Sequence, residues 1–157
     1  MPTAASQADL AYNWELWIGR TVAMTTTWTQ IFGFEALPFP EQVPEDIDVT
    51  HINSPGRTRE TIPGLIPVVD WSQEKQLWGD DGDTLLEELA ELTAAGTRET
   101  VQIEFNIDPA GTGIRRTYRA YVNQFTPTGS VGEKAMATVD FKILDRQATN
   151  PRTIPTP

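Results

Sequence analysis

The chain has 157 residues, 39% of them apolar and 22% charged, with no cysteine and a formal net charge of -10. That length and mixture suit one domain with one core and exclude a wholly disordered chain. The lack of cysteine excludes disulfides, thiol nucleophiles and thiolate metal sites. No basic stretch precedes an apolar run near the N-terminus, and no 18 consecutive residues are apolar. Neither a standard secretion signal nor a membrane span is expected.

The acid is concentrated. Residues 35 to 91 hold 14 of the 22 acidic residues against Arg57, Arg59 and Lys75, a regional net of -11. Such a field disfavours tight binding to a phosphate backbone, which depends on basic groups displacing counterions. It equally serves to keep a surface soluble.

In chain order, residues 1 to 11 are small and polar and are expected to form a flexible N-terminal arm. Tyr12, Trp14, Leu16 and Ile18 alternate with Asn13, Glu15 and Trp17, predicting a first strand. Past Gly19, a threonine-rich stretch through Trp28 and Ile31 suits extended backbone. Pro38, Pro40 and Pro44 then exclude a helix, while Phe34, Leu37 and Phe39 predict an ordered loop anchored on something apolar.

Ile47 to Ile52 reads as a short strand, interrupted by Ser54, Pro55 and Gly56. Arg57 and Arg59 would project to one side of an extended chain, and Pro63-Gly64 fits a type II turn. Residues 51 to 64 are therefore expected to project as a loop, and Leu65 to Trp71, containing Pro67, to form an edge strand or the start of one. A helix is predicted from Asp83 or Thr84 to near Ala95, with Thr84 and Glu87 as a capping box and Gly96 past its end. Leu85, Leu89 and Leu92, widened by Leu86, form its apolar stripe, and Glu87, Glu88 and Glu91 its polar side. A helix this short gains its stability by covering a sheet.

Val101, Ile103, Phe105 and Ile107 alternate with Gln102, Glu104 and Asn106, predicting another half-buried strand, and Pro109 to Gly113 suits a turn. From Thr117 to Leu144 two alternating runs follow. Tyr118, Ala120 and Val122 share one face of the first, and Ala135, Ala137, Val139, Phe141 and Ile143 one face of the second. Pro127, Gly129, Ser130 and Gly132 supply the connection, so the pair is expected to be an antiparallel hairpin with a long loop. Residues 12 to 145 then form the domain and 146 to 157 an extended proline-rich tail.

Chemical motifs are sparse. His51 is the single histidine and has no nucleophile or metal partner in a recognisable motif, so it reads as structural. Asp80, Asp81 and Asp83 lack the full calcium-loop pattern and suit solvation or capping. Neither a phosphate loop nor a dinucleotide fingerprint is present. Arg115, Arg116 and Arg119 form the strongest basic cluster, and attraction to the acidic region of another copy explains it as economically as nucleic acid does. The five tryptophans read first as core and interface packing. No catalytic residue, cofactor or metal ligand is assigned.

The stretch from Asp48 through His51 and Ser54-Pro55-Gly56-Arg57 to Ile62-Pro63-Gly64-Leu65 resembles the long loop of noncontractile phage tail tube proteins. The resemblance extends from Tyr12 to Asp145 and takes in the early tryptophan-containing strand, the helix from Thr84 to Ala95, and Tyr118-Arg119-Ala120-Tyr121-Val122 with Val139-Asp140-Phe141. Unlike some members of that family, this sequence shows no extra C-terminal immunoglobulin-like domain. The resemblance implies a mainly β fold: a tail-tube-like β-sandwich with one flanking helix, a long projecting loop and terminal arms. It also implies a structural role in the virion tail, assembled in the host cytoplasm, as hexameric rings stacked around a lumen.

By the same resemblance, Val49, His51, Arg57, Arg59, Glu60, Ile62, Gly64 and Leu65 fall on the inter-ring loop. Tyr118, Val122, Val139 and Phe141 fall in the tube wall, and Leu85, Leu89 and Leu92 pack the helix. Implied partners are further copies of the chain, a tape-measure protein, terminator and distal initiator proteins, and DNA that passes without specific recognition. No membrane is implied. A tail terminator or completion protein and a soluble β-sandwich binding module are the alternatives.

Overall fold

A computed structural model of the protein describes residues 14 to 107 and 114 to 147. The expected N-terminal arm, the turn at Pro109 to Gly113 and all but the first two residues of the expected tail lie outside them. The alternating runs form strands: β1 (Glu15–Val22), β2 (Thr25–Ile31), β5 (Val69–Gln76), β6 (Val101–Asn106), β7 (Arg115–Thr128) and β8 (Met136–Arg146). They make one antiparallel sheet in the order β2-β1-β6-β7-β8-β5. A separate two-stranded ladder pairs β3 (Asp46–Asp48) with β4 (Thr61–Pro63), and one helix, α1 (Asp81–Ala94), lies between β5 and β6 in sequence. The protein is mainly β with one flanking helix, as the periodicities predict.

Aromatic contacts show how the sheet is covered. Trp71 on β5 packs edge-on against Phe105 on β6, with ring centroids 5.5 Å apart, although β7 and β8 lie between those strands in the ladder. The sheet therefore rolls over on itself. β7 carries two register shifts against β8, and such bulges add the local twist that rolling needs. Where the ends of the roll meet, Phe34 bridges Lys75 and the Gln76 amide donates to the Gly33 carbonyl at 2.9 Å. Trp71 also stacks on Phe141, meets Phe34, and donates from Nε1 to the Pro38 carbonyl at 2.7 Å. That pins the proline-rich loop, as its apolar anchors predict, and Leu37 and Phe39 pack on the core beside it.

The inward face of β8 is buried at Ala137, Val139, Phe141 and Ile143, but Ala135 precedes the strand and is exposed. Pro127 sits inside β7 opposite Ala137 and not in the connecting loop. Past Ala120, β7 no longer pairs with β6, so Pro127 removes no donor from a two-sided ladder. There α1 supplies the cover, and the Thr93 hydroxyl donates to the Val122 carbonyl at 2.6 Å.

The helix starts earlier than its sequence signals indicate. Asp80 is the N-cap, accepting from the Asp83 amide, and Thr84 is already inside the first turn. At the other end the Gly96 amide donates to Thr93 and the Thr97 amide to Leu92, a Schellman motif around a glycine at φ 95°. Leu86 and Leu89 are fully buried, while Leu85 and Leu92 are partly buried against the same core. The buried stripe is thus centred one residue from where the leucine spacing alone puts it.

The β6 reading also needs correction. Glu104 and Asn106, expected on a polar face, are buried, because β6 is central and flanked by β1 and β7. Trp17 and Thr117 lie directly across from Glu104, and Arg115 approaches it at 4.0 Å.

Candidate assembly surfaces

The predicted loop is a hydrogen-bonded hairpin with few ties to the rest of the molecule. Asp46, Ile47 and Asp48 face Pro63, Ile62 and Thr61, and the Glu45 amide donates to Leu65 at 2.9 Å at its root. Neither strand makes a substantial contact with the six-stranded sheet or α1. The regular strands are shorter than predicted, since Val49 to Ile52 and Leu65 to Val68 lie outside β3, β4 and β5. Val49 still closes the ladder by donating to the Glu60 carbonyl at 2.9 Å.

The tip is held by its own polar side chains. Ser54 Oγ accepts from the His51 amide at 2.9 Å and donates to Glu60 Oε2 at 2.8 Å. His51 Nδ1 accepts from the Asn53 amide at 3.1 Å, leaving Nε2 to face Glu60 at 3.4 Å. His51 is structural in this arrangement. Asp48 accepts from Thr50 and pairs with Arg59 at 3.0 Å; its carboxyl is held below the usual range, first by Thr50.

Arg57 and Arg59 do not share an extended segment, because Pro55–Arg57 is a 3-10 turn with Gly56 and Arg57 at φ 65° and 56°. Nor is Pro63-Gly64 a type II turn: Pro63 closes β4, and Gly64 does not adopt the positive φ that such a turn requires.

This hairpin exposes apolar surface that nothing among the described residues covers. Ile52 is 98% and Leu65 83% exposed, and Ile47, Val49 and Ile62 are also open. A second apolar surface lies where the roll closes. A cavity of about 490 Å³ is lined by Trp14, Phe32, Phe34 and Leu37, with Glu35 as its charged residue. Beside it the exposed rings of Phe32 and Trp78 stack in parallel, 5.2 Å apart.

Beneath that pair lies a buried ion pair that sequence reasoning missed. Lys75 donates to Asp83, and both are buried. The other Asp83 oxygen accepts from the Trp78 and Gly79 amides, each at 2.8 Å. Asp83 is therefore neither solvated nor a cap. The available signal was parity: Lys75 falls on the same face of β5 as Trp71.

The basic cluster is used within the chain. Arg115 faces Glu104, Arg116 lies over the Phe39 ring at 5.5 Å, and Arg119 pairs with Asp145 at 2.7 Å. Elsewhere Arg20 clasps Glu99 at 2.7 and 2.9 Å and Glu88 at 3.0 Å, tying β1 to α1; these carboxylates, Glu99 foremost, push its pKa further up. Among the described residues no group of three or more His, Cys, Asp or Glu is placed to hold a metal ion.

No family model and no curated protein sequence matches the chain. Solved structures do. A chain of the anti-feeding prophage baseplate aligns at TM-score 0.65 with 8% identity, over 91% of this chain and 96% of that one. The chain shares that fold. A chain from the C6-symmetric tail of an empty GTA particle aligns at 0.61 with 18% identity, over 86% and 96%. A chain of the PVC sheath/tube terminator, from an extracellular contractile injection system, aligns at 0.61 with 12% identity, over 92% and 98%.

Proposed function

We propose that this protein is a structural tail tube subunit that forms rings stacked around a DNA-conducting lumen. The observation that carries the reading is the projecting hairpin: a self-braced element that leaves Ile52 and Leu65 almost fully exposed and makes no substantial contact with the six-stranded sheet or α1. Burial of such a surface in a neighbour recovers roughly 25 cal/mol per Å² removed from water, which a monomer forgoes. The fold likeness to components of tails and injection systems supports the same reading. β2 and β5 end the sheet; Gly33 and Phe34 cover β5 at Lys75 and Gln76, and the remaining edges are open for a neighbour to continue or cover, while a repeated head-to-tail contact closes a ring when its rotation allows.

In this reading Val49, His51, Arg57, Arg59, Glu60, Ile62, Gly64 and Leu65 belong to the contact between rings, and Tyr118, Val122, Val139 and Phe141 brace the tube wall. Six copies per ring, a tape-measure protein in the lumen, and terminator and initiator proteins at the ends complete the assembly. The acidic excess keeps passing DNA from sticking. The noncontractile type rests on the order of loop, helix and hairpin motifs in the sequence, since the fold likeness extends to contractile particles.

Negative-stain microscopy of the purified chain over a concentration and salt series tests the proposal. Long hollow tubes are expected, and deletion of residues 49 to 60 should abolish them while the monomer stays folded. Tubes of unchanged length after that deletion would overturn the role of the hairpin. The likeness to a sheath/tube terminator favours one second reading, a capping ring, which predicts isolated rings that never stack.

A further inference from the structure

Taking the projecting hairpin as an element that binds another copy, we infer that its tip docks on the Phe32–Trp78 stack and the adjoining groove of that copy. Four observations converge. The first is mutual need: Ile52 stands at the hairpin tip fully exposed, and the two stacked rings expose a flat apolar face next to a groove of about 490 Å³. Rigid aromatic faces of this kind anchor protein interfaces because little side-chain freedom is lost on contact.

The second is that the stack is built to stay in place. Asp83 holds the Trp78 and Gly79 amides, and Lys75 holds Asp83. Gly33, at φ 94°, lets the chain pass within contact of the Gln76 carbonyl and Trp78 Nε1, 2.7 and 3.1 Å from where a Cβ would sit. A buried ion pair under an exposed tryptophan is costly as plain stabilisation and is accounted for by a surface that must be preorganised.

The third is charge. The hairpin tip carries Arg57 and Arg59, the only basic residues besides buried Lys75 in the acidic stretch from 35 to 91. The groove continues past Glu35 and Ala36 to a second depression lined by Ser72, Glu74 and Thr138. Arg59 is already paired with Asp48 and Glu35 with Lys134, so the complementarity rests on Arg57 at the tip and Glu74 on the rim.

The fourth is direction. The hairpin roots at Glu45 and Leu65, just before β5 begins at Val69, whereas Trp78 follows the other end of β5 at Gln76. Seven steps of strand separate those ends by about 23 Å. The root of the hairpin and the Phe32–Trp78 stack therefore sit at opposite ends of β5, and a hairpin that runs on away from that strand meets the stack of another copy head to tail, a contact that repeats from copy to copy instead of closing a two-fold dimer.

The chain has no cysteine, which makes engineered thiols unambiguous reporters. Full-length Ile52→Cys is mixed with full-length Trp78→Cys, and separately with Phe32→Cys, under mild oxidation, and linked peptides are identified by mass. A 52–78 or 52–32 disulfide between copies is expected to dominate; a dominant 52–52 product would overturn the proposal. In parallel, Trp78→Ala should raise the concentration needed for assembly by at least about tenfold. Arg57→Glu and Glu74→Arg should each weaken assembly and together restore it. If removing residues 51 to 57 blocks assembly while neither cross-link forms and Trp78→Ala assembles normally, the acceptor is wrong and the hairpin's role stands. If that removal changes nothing, the hairpin's role itself falls.

Discussion

Met24 shows how much a single backbone angle can matter at the residue scale. Ala23 and Met24, at φ 51° and 65°, form the two-residue turn between β1 and β2, with Val22 facing Thr25. Two-residue hairpins need left-handed residues there, and the side chain of Met24 is fully exposed, so it gains no packing in return. Met24→Gly should therefore raise stability by about 0.5–1 kcal/mol, relief of strain outweighing the entropy of glycine. A denaturant midpoint that falls would contradict this.

Lys75 behaves in the opposite way. Lys75→Met leaves Asp83 buried with two amide donors and no counter-charge, and should cost about 3–5 kcal/mol. Adding Asp83→Asn should recover part of the loss, because a neutral carbonyl oxygen still accepts from the Trp78 or Gly79 amide. Equilibrium unfolding of the single and double variants measures both.

At the scale of elements, the helix separates sequence signal from structural fact. Its capping box reading gave Thr84 the stabilising role, whereas Asp80 holds the Asp83 amide at 3.2 Å and Thr84 only reaches back to the Asp80 carbonyl. Asp80→Ala should cost about 1 kcal/mol, and Thr84→Ala no more than about 0.5 kcal/mol. Equal losses would restore the capping box. The buried stripe makes a companion case. Leu89→Asp places a charge at a position that is 1% exposed and should unfold the chain at ambient temperature, while Glu88→Asp on the exposed side loses at most its contact with Arg20 and is tolerated.

For the whole molecule, exposed ion pairs join regions distant in sequence and add to the pH dependence of stability. Lys134 in the β7–β8 loop and then Gln76 lower the Glu35 pKa below 4.5, and Asp70 raises the Lys142 pKa above 10.5. Glu35 contributes fully above its unfolded pKa, and its contribution is lost as pH falls through the lower folded value. Lys142 contributes fully below its unfolded pKa, and its contribution is lost as pH rises through the higher folded value. Denaturation from pH 3 to 12 should show a plateau in between, with Glu35→Gln flattening the acid side and Lys142→Met the alkaline side. Salt should weaken both contributions, because the groups are exposed.

Alternation, helical spacing and the placement of prolines and glycines, properties of the chain's own geometry, were enough to identify the long strands, the helix, its closing glycine and the loop that the structure folds as a hairpin. They act over a few residues and need no knowledge of what lies opposite. What lay beyond them were the features set by pairing and packing, most of them between residues far apart in sequence. The turn at Ala23-Met24 lacks the Asn-Gly signature and forms because the β1–β2 pairing demands it. Lys75 and Glu104 look solvent-facing until α1, β1 and β7 enclose them. The Phe32–Trp78 stack joins residues 46 positions apart. Only the rolling of the sheet brings such residues together, because burial is set by which surfaces meet and not by the order in which they are written.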